Sequence, residues 1–233
     1  MPVLPSHDPA LPHHVRQAEG WLERSESGTK TAALSYAALE LRYSIERLAV
    51  HYWTSLLNRP LTHEEAENIG TYKRLERRLY ELGGHQKQID GHFAFLRSVM
   101  NVMKIPGNLP TPNLGVLSEH WHACSEVCHV LWPLGCSADS EREIVFQKLS
   151  EVRDTVAPLV EGDLVGWPVI HDPTFASIRD GFIAGTASEA EVVAYAETHG
   201  LWARLYDKDD NPVRFVGEAI PPKAPTACAA GDA

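Results

Sequence analysis

One uninterrupted stretch near the start of the chain constrains the fold more than any other feature. Residues 29–58 contain no Gly or Pro and are rich in strong helix formers, which predicts one long helix. One face carries apolar side chains at helical spacing, namely Leu34, Ala38, Leu41, Ile45, Leu48 and Tyr52. The opposite face carries Tyr36, Leu39, Tyr43, Val50 and Leu57. A helix that is apolar all round is either central in a bundle or buried in an oligomer.

Further helix signals follow on both sides of this stretch. Apolar periodicity and helix breakers predict helices over 15–25, 62–82, 86–104, 113–132 and 140–160. Thr62 with Glu65 and Ser140 with Glu143 have the spacing of capping boxes, and Asn113 is a predicted N-cap.

The character of the chain changes after Gly162. Residues 167–173 are predicted to be extended or turn-like, and a short helix opens at Ser188 and ends at Gly200. Residues 201–206 and 213–216 flank a polar turn and predict a β-hairpin. The predicted fold is therefore mainly α, a helical bundle of five to six helices with a small C-terminal α+β appendage that contains the hairpin.

The same features predict the domain organisation. Residues 1–13 form a flexible arm, 14–162 the helical bundle, 163–220 the α+β appendage and 221–233 a disordered tail rich in small residues. We see no internal repeat.

Composition excludes several classes of protein. Of 233 residues, 44% are hydrophobic and 22% charged, which excludes a disordered or collagenous chain. No apolar run approaches the roughly 20 residues that a membrane span needs. The net charge of -10 argues against a surface generally coated by nucleic acid, although a local basic patch still allows binding.

The chain ends and the cysteines indicate a compartment. The N-terminus lacks the basic start and apolar core of a secretory signal. Four cysteines include no C-x2-C pair, and Cys124 and Cys128, four apart on a predicted helix, are expected to pack in the core. We therefore expect a reduced, cytoplasmic protein.

The first predicted helix pair resembles the opening hairpin of HEPN domains. The similarity covers about residues 15–60 and is carried by Ala18, Trp21, Leu22, Gly28, the run 32–40, Tyr43 and Glu46. A later segment, 114–118 with His122 and His129, is also similar to a helix of bacterial proteins of this type. The resemblance implies a helical bundle in a bacterial toxin, antiphage defence or nucleotidyltransferase-partner setting.

Active HEPN ribonucleases carry Arg, four to six residues and then His, and they act without a metal across a dimer. Here the matching pair is Arg78 and His85, with Gly83 and Gly84 between them. Many members of the family are inactive or act as partners. The resemblance therefore supports the fold more than the activity.

The densest chemistry lies on the helix predicted over 113–132. On a helical wheel His122, Glu126 and His129 share one side with Glu119 nearby, whereas His120 and Cys124 lie opposite. Glu119 with His122 and Glu126 with His129 both have the E-x-x-H spacing of di-iron bundles. A metal site at these four residues is one alternative, and a solvated polar stripe is another.

The same stripe suits acid–base chemistry. Imidazole exchanges protons near neutral pH, and an arginine stabilises phosphate charge. We therefore take His122, His129 and Glu126, with Arg42 and Arg47 of the long helix, as the candidate catalytic residues of a metal-free ribonuclease. The alternative for Arg42 is a structural ion pair with Glu46, one turn away, and His51 is expected to be a partly buried helix histidine.

One basic cluster is a candidate nucleic-acid contact. It comprises Lys73, Arg74, Arg77 and Arg78, with Tyr72 and Tyr80 beside it. Interleaved Glu76 and Glu81 favour the alternative, a solvated helix face.

Three functions remain open at this stage, and the sequence does not decide whether the protein is an enzyme. The first is a HEPN-like ribonuclease, or the partner subunit of a toxin or antiphage system. The second is a non-catalytic oligomeric interaction protein, and the third is a metal-dependent helical enzyme. Because no Gly-rich phosphate loop and no G-x-S-x-G motif is present, we predict no cofactor. We expect a homodimer or a partner protein, RNA as a candidate ligand and no membrane.

Overall fold

The computed structural model describes residues 12–57, 61–69, 74, 77, 81, 84–129, 138–160, 170–206 and 212–222. In this part of the chain the helices are α1 (Pro12–Arg24), α2 (Thr31–Leu57), α3 (His63–Ile69), α4 (Gln86–Val102), α5 (Leu114–His129), α6 (Asp139–Val160), α7 (Pro173–Ala184) and α8 (Glu189–His199). The strands are β1 (Leu201–Tyr206) and β2 (Pro212–Ile220). The predicted mainly helical fold with a C-terminal hairpin is confirmed.

The described chain divides into two compact units. The N-terminal unit contains residues 1–90 and 109–169, and the C-terminal unit contains 91–108 and 170–233. The division falls within α4, so the segment 91–108 groups with the α+β appendage that the sequence places at 163–220. The predicted arm at 1–13 and tail at 221–233 lie almost entirely outside the described residues.

The core of the N-terminal unit is built around α2. This helix packs against α1, α5 and α6, and α1 also packs against α6. The predicted core face is fully shielded from solvent at Leu34, Ala38, Leu41, Ile45, Leu48 and Tyr52. Of the opposite face, Tyr36 and Tyr43 are exposed, and Leu39 and Val50 are half-buried. The helix is therefore central in its unit but keeps one open side.

The turn between α1 and α2 depends on a glycine. Gly28 has a φ of 98°, a conformation that side chains disfavour. A Cβ built there would lie 2.7 Å from the carbonyl oxygen of Arg142 at the start of α6. The hairpin that brings α1 back along α2 thus requires the smallest residue at this position.

Local capping chemistry sets several helix starts as predicted. Glu65 accepts a hydrogen bond from the backbone N–H of Thr62 at 2.8 Å, and Asn113 accepts one from Val116 at 3.1 Å. Glu191 accepts one from Ser188 at 2.7 Å.

The predicted box of Ser140 and Glu143 is wrong. The helix α6 begins at Asp139, and Glu141 accepts from the N–H of Ala138 at 3.0 Å. Glu141 accepts from the residue three positions before it, as Glu143 is predicted to do from Ser140, but the pair lies two positions earlier in the chain.

The C-terminal unit contains a helix that the sequence analysis missed. Asp172 is the N-cap of α7 and accepts from the N–H of Phe175 at 2.9 Å, while Pro173 stands in the first turn. Phe95 of α4 packs against Phe175 and Phe182, with ring centroids 5.2 and 5.7 Å away. The Asp-Pro pair is the signal in the sequence for this helix start, which the prediction of an extended or turn-like segment over 167–173 overlooks.

The hairpin completes this unit. Strands β1 and β2 pair antiparallel, with Ala203 opposite Val216 and Leu201 opposite Ile220, so a bulge lies between the two pairs. At the bulge Glu218 donates its backbone N–H to the carbonyl of Met103 at 2.9 Å and accepts from Lys104 at 2.7 Å. The turn after α4 thereby anchors the second strand.

Candidate functional site

The outer side of α2 carries two polar networks, one on each flank of its open face. The first, called here the closed network, consists of Arg42, Glu46 and Trp121. The second, called the open network, consists of His14, Glu40 and Arg47. Both networks lie wholly within the N-terminal unit.

The closed network joins α2 to α5. Arg42 Nε donates to Glu46 Oε1 at 2.8 Å, and Trp121 Nε1 donates to the same oxygen at 3.0 Å. The guanidinium of Arg42 lies 5.3 Å from the centroid of the Trp121 ring. Because Trp121 is fully buried, the network is part of the helix packing. The structural ion pair between Arg42 and Glu46 is thus present, as one of the two interpretations expected.

The open network joins α1 to α2. Nδ1 of His14 lies 2.7 Å from Oε2 of Glu40, and Nη1 of Arg47 lies 3.2 Å from the other ring nitrogen, Nε2. A carboxylate only accepts and a guanidinium only donates. When the ring of His14 is neutral, these contacts require its proton on Nδ1, so that the Nε2 lone pair faces Arg47.

The surroundings of His14 leave it partly accessible. Its side chain is 16% exposed, and that of Glu40 is 23% exposed. The ring of Tyr43, itself exposed, lies 5.6 Å from that of His14. A carboxylate-oriented imidazole with a neighbouring guanidinium is thus present at the edge of the solvent-facing side of α2.

The side chains of α5, the histidine-rich helix, differ in their exposure and contacts. His120 is buried and its Nε2 lies 3.1 Å from Oγ1 of Thr155, and burial lowers the pKa of this imidazole. His122 is half-buried with its ring 5.1 Å from that of Trp121, and Glu119, Glu126 and His129 are exposed. Among the described residues, no three His, Cys, Asp or Glu side chains are grouped so as to hold a metal ion.

The predicted catalytic residues are therefore distributed over both flanks of α2 and the end of α5. Arg42 contacts Trp121, the neighbour of His122, whereas Arg47 contacts His14 on the other flank of α2. His129 and Glu126 lie exposed near the C-terminal end of α5. Sequence reasoning missed His14 and Glu40, because they are 26 positions apart and no local pattern connects them.

The two thiols of α5 behave as core groups. Cys124 is fully buried and Cys128 is half-buried. Burial raises the pKa of both thiols, and the charges of Arg42 and Glu46 act on the pKa of Cys128 in opposite directions. Because the thiolate is the reactive form, this environment favours an inert packing role.

The other predicted positions are only partly described. Arg74 and Arg77 are helical and exposed, while Lys73 and Arg78 lie outside the described residues. His85, the histidine of the Arg–His motif, is half-buried with its ring 6.2 Å from that of Trp53. His51 is half-buried, as expected. In the described part of the chain no helix is both long and apolar enough to cross a membrane.

Comparison with protein-family models, with curated proteins and with solved structures gives no match for this chain. Functional inference therefore depends on the chemistry of the two networks.

Proposed function

We propose that the protein is a HEPN-like helical protein that cleaves RNA without a metal ion, with His14 as its general base. The observation that carries this proposal is the hydrogen-bonded series Glu40–His14–Arg47 on the open side of α2. A bacterial toxin or antiphage setting, implied by the resemblance of residues 15–60, is part of the same proposal.

The geometry supports a defined sequence of events. A phosphate diester is a stronger acceptor for Arg47 than a neutral imidazole, because both partners of the new hydrogen bond are charged. Binding of a phosphate by Arg47 would release Nε2 of His14. That nitrogen then takes the proton of the adjacent ribose 2′-hydroxyl, while Glu40 holds the imidazole in orientation and stabilises its charged form.

The bond changes are those of transesterification. The 2′-oxygen forms a bond to phosphorus, the bond from phosphorus to the 5′-oxygen breaks, and the departing 5′-oxygen takes a proton from water. The products are a 2′,3′-cyclic phosphate and a 5′-hydroxyl. Arg47 stabilises the charge that develops on the phosphoryl oxygens.

The test is cleavage of total RNA and tRNA by the purified protein in excess EDTA. We expect His14→Ala to slow cleavage by about 100- to 10,000-fold, the range for removal of a general base. A His122→Ala/His129→Ala variant distinguishes the two sites, and His171→Ala, an exposed histidine of the other unit, is the matched control. Loss of cleavage only in the double variant would move the site to α5. No cleavage by the wild type, with or without divalent metal, would exclude the proposal.

A second candidate function, a non-catalytic interaction protein, is favoured by the open face of α2. Tyr36 and Tyr43 are 52% and 42% exposed, large values for aromatic side chains on a central helix. In this case the face forms a homodimer or binds a partner protein. Light scattering at micromolar concentration tests the dimer, and a Tyr36→Asp/Tyr43→Asp variant should then return to the monomer mass.

A further inference from the structure

The side of the α1–α2 hairpin that bears Tyr36 and Tyr43 carries two pairs of aromatic rings. One pair is His14 with Tyr43, in the open network, with centroids 5.6 Å apart. The other is Trp21 with Tyr36, whose centroids lie 4.8 Å apart at an interplanar angle of 32°. Each pair takes one ring from each helix of the hairpin.

The spacing of the pairs follows from helix geometry. Residues 14 and 21 are seven apart on α1, and residues 36 and 43 are seven apart on α2. Seven residues correspond to two turns, or about 10 Å at about 1.5 Å per residue. The pair of Trp21 and Tyr36 therefore lies two turns along the hairpin from the imidazole of His14.

A cation is attached to the second pair. Cζ of Arg24 lies 4.9 Å from the centroid of the Trp21 ring, one turn further along α1. A guanidinium stacked on a ring keeps its N–H donors in its own plane, where they suit the oxygens of a phosphate. We call Trp21, Arg24 and Tyr36 the aromatic platform.

Exposure and charge favour a ligand on this platform. The side chain of Tyr36 is 52% exposed, although its ring is held against Trp21. Residues 12–24 carry two arginines, Arg16 and Arg24, against two glutamates, Glu19 and Glu23, so α1 is neutral in a chain of net charge -10. Exposed aromatic rings with an arginine are the means by which proteins bind single-stranded nucleic acid without sequence preference.

The geometry points to the aromatic platform as a binding subsite for a base of single-stranded nucleic acid, with Arg24 on a neighbouring phosphate. A distance of about 10 Å is spanned by about three stacked nucleotides at about 3.4 Å each. A strand whose base stacks at Tyr36 therefore has a ribose and phosphate within reach of His14. This inference deepens the proposed function and names single-stranded nucleic acid as the ligand of the same surface.

The test measures binding separately from cleavage. A fluorescent DNA oligonucleotide lacks the 2′-hydroxyl and is not cleaved, so its anisotropy reports the Kd alone. We expect Tyr36→Ala to weaken binding by about 5- to 150-fold, the effect of removing one stacked aromatic side chain. Tyr36→Phe keeps the ring and should bind within about twofold of the wild type. Val193→Ala, an exposed apolar position of the other unit, is the control.

Each outcome separates the subsite from the proposed reaction. Weaker binding by Tyr36→Ala with no RNA cleavage by any form supports the subsite and excludes the ribonuclease. Cleavage that depends on His14, with an unchanged KM in Tyr36→Ala, overturns the subsite and leaves the reaction. Equal binding by wild type and Tyr36→Ala overturns the subsite. A change of oligomeric mass in Tyr36→Ala, without a change in DNA binding, overturns it in favour of a protein interface.

Discussion

Glu46 in the N-terminal unit and His92 in the C-terminal unit both lie on helices that face a core, yet their environments differ. Glu46 accepts two hydrogen bonds on one oxygen and remains beside an open helix face. His92 is 3% exposed, and burial together with the charge of Arg179 lowers its pKa to about 4. The first unit pairs Glu46 at the edge of its core, whereas the second holds the imidazole of His92 inside its core.

The comparison teaches that similar exposure does not imply a similar role. Within the N-terminal unit, Arg42 and Glu46 are 15% and 18% exposed, and His14 and Glu40 are 16% and 23% exposed. What separates the closed from the open network is the group that both charged side chains contact, a buried indole in one case and an imidazole in the other.

The largest expected effect breaks the closed network. Trp121→Ala removes a fully buried indole and leaves a cavity between α2 and α5. We expect the free energy of unfolding in urea to fall by about 3–5 kcal/mol. Trp121→Phe keeps a ring but loses the hydrogen bond to Glu46, so its loss should be smaller. An alanine variant within about 1 kcal/mol of the wild type would contradict this.

The next effect concerns the buried imidazole of the C-terminal unit. In the unfolded chain a histidine has a pKa near 6.5, whereas the pKa of folded His92 is about 4. Between these two pH values the unfolded state therefore binds one proton more than the folded state. The stabilisation is therefore complete above pH 6.5 and is lost as the pH falls to about 4. We expect a loss of about 3 kcal/mol from this group, measured by urea unfolding at several pH values.

A matched pair of variants isolates that contribution. His92→Leu should lose less stability than the wild type between pH 6.5 and 4. His171→Gln, at an exposed position of the same unit, should follow the wild-type curve. Because the pKa of His120 is lowered too, part of the acid sensitivity should persist in His92→Leu. If the free energy of unfolding depended on pH identically in His92→Leu and the wild type, the buried imidazole would not distinguish the C-terminal unit.

Two helical glycines, one in each unit, allow a comparison of how closely their helices are packed. A Cβ on Gly91 of α4 would lie 2.4 Å from the carbonyl oxygen of Phe182, whereas Gly20 of α1 has no atom within 4 Å. We expect Gly91→Ala to lower the free energy of unfolding by about 1–3 kcal/mol because backbone must move. Gly20→Ala should raise it by about 0.5–1 kcal/mol. Equal effects in thermal unfolding would show that the α4–α7 contact is looser than described.

The smallest expected effect distinguishes the two networks of α2. Among the described residues Glu40 forms a partly exposed pair with His14 alone, so Glu40→Gln should change the free energy of unfolding by less than about 1 kcal/mol. Glu46→Gln should cost more, because one oxygen serves both Arg42 and Trp121. Chemical denaturation of the two variants in parallel measures the difference, and the reverse order would mean that the open network is the structural one.

Local features were predictable and distant ones were not. The caps at Thr62, Asn113 and Ser188 and the pair of Arg42 with Glu46 depend on residues three or four apart, so the sequence displays them. The helix α7 was also within reach of the same rules. The sequence indicates Arg47 as a candidate but not its partner His14, since the two are 33 positions apart.

The sequence by itself determined the helices, the hairpin and the apolar faces of α2, because these depend on propensity and on periodicity along one element. Only the tertiary structure decided which polar groups of different helices meet. The fold of α1 back along α2 brings His14 to Glu40 and Arg47, and the packing of α5 brings Trp121 to Glu46 across 75 residues. Such contacts depend on the relative placement of packed helices, which a pattern within one helix does not contain.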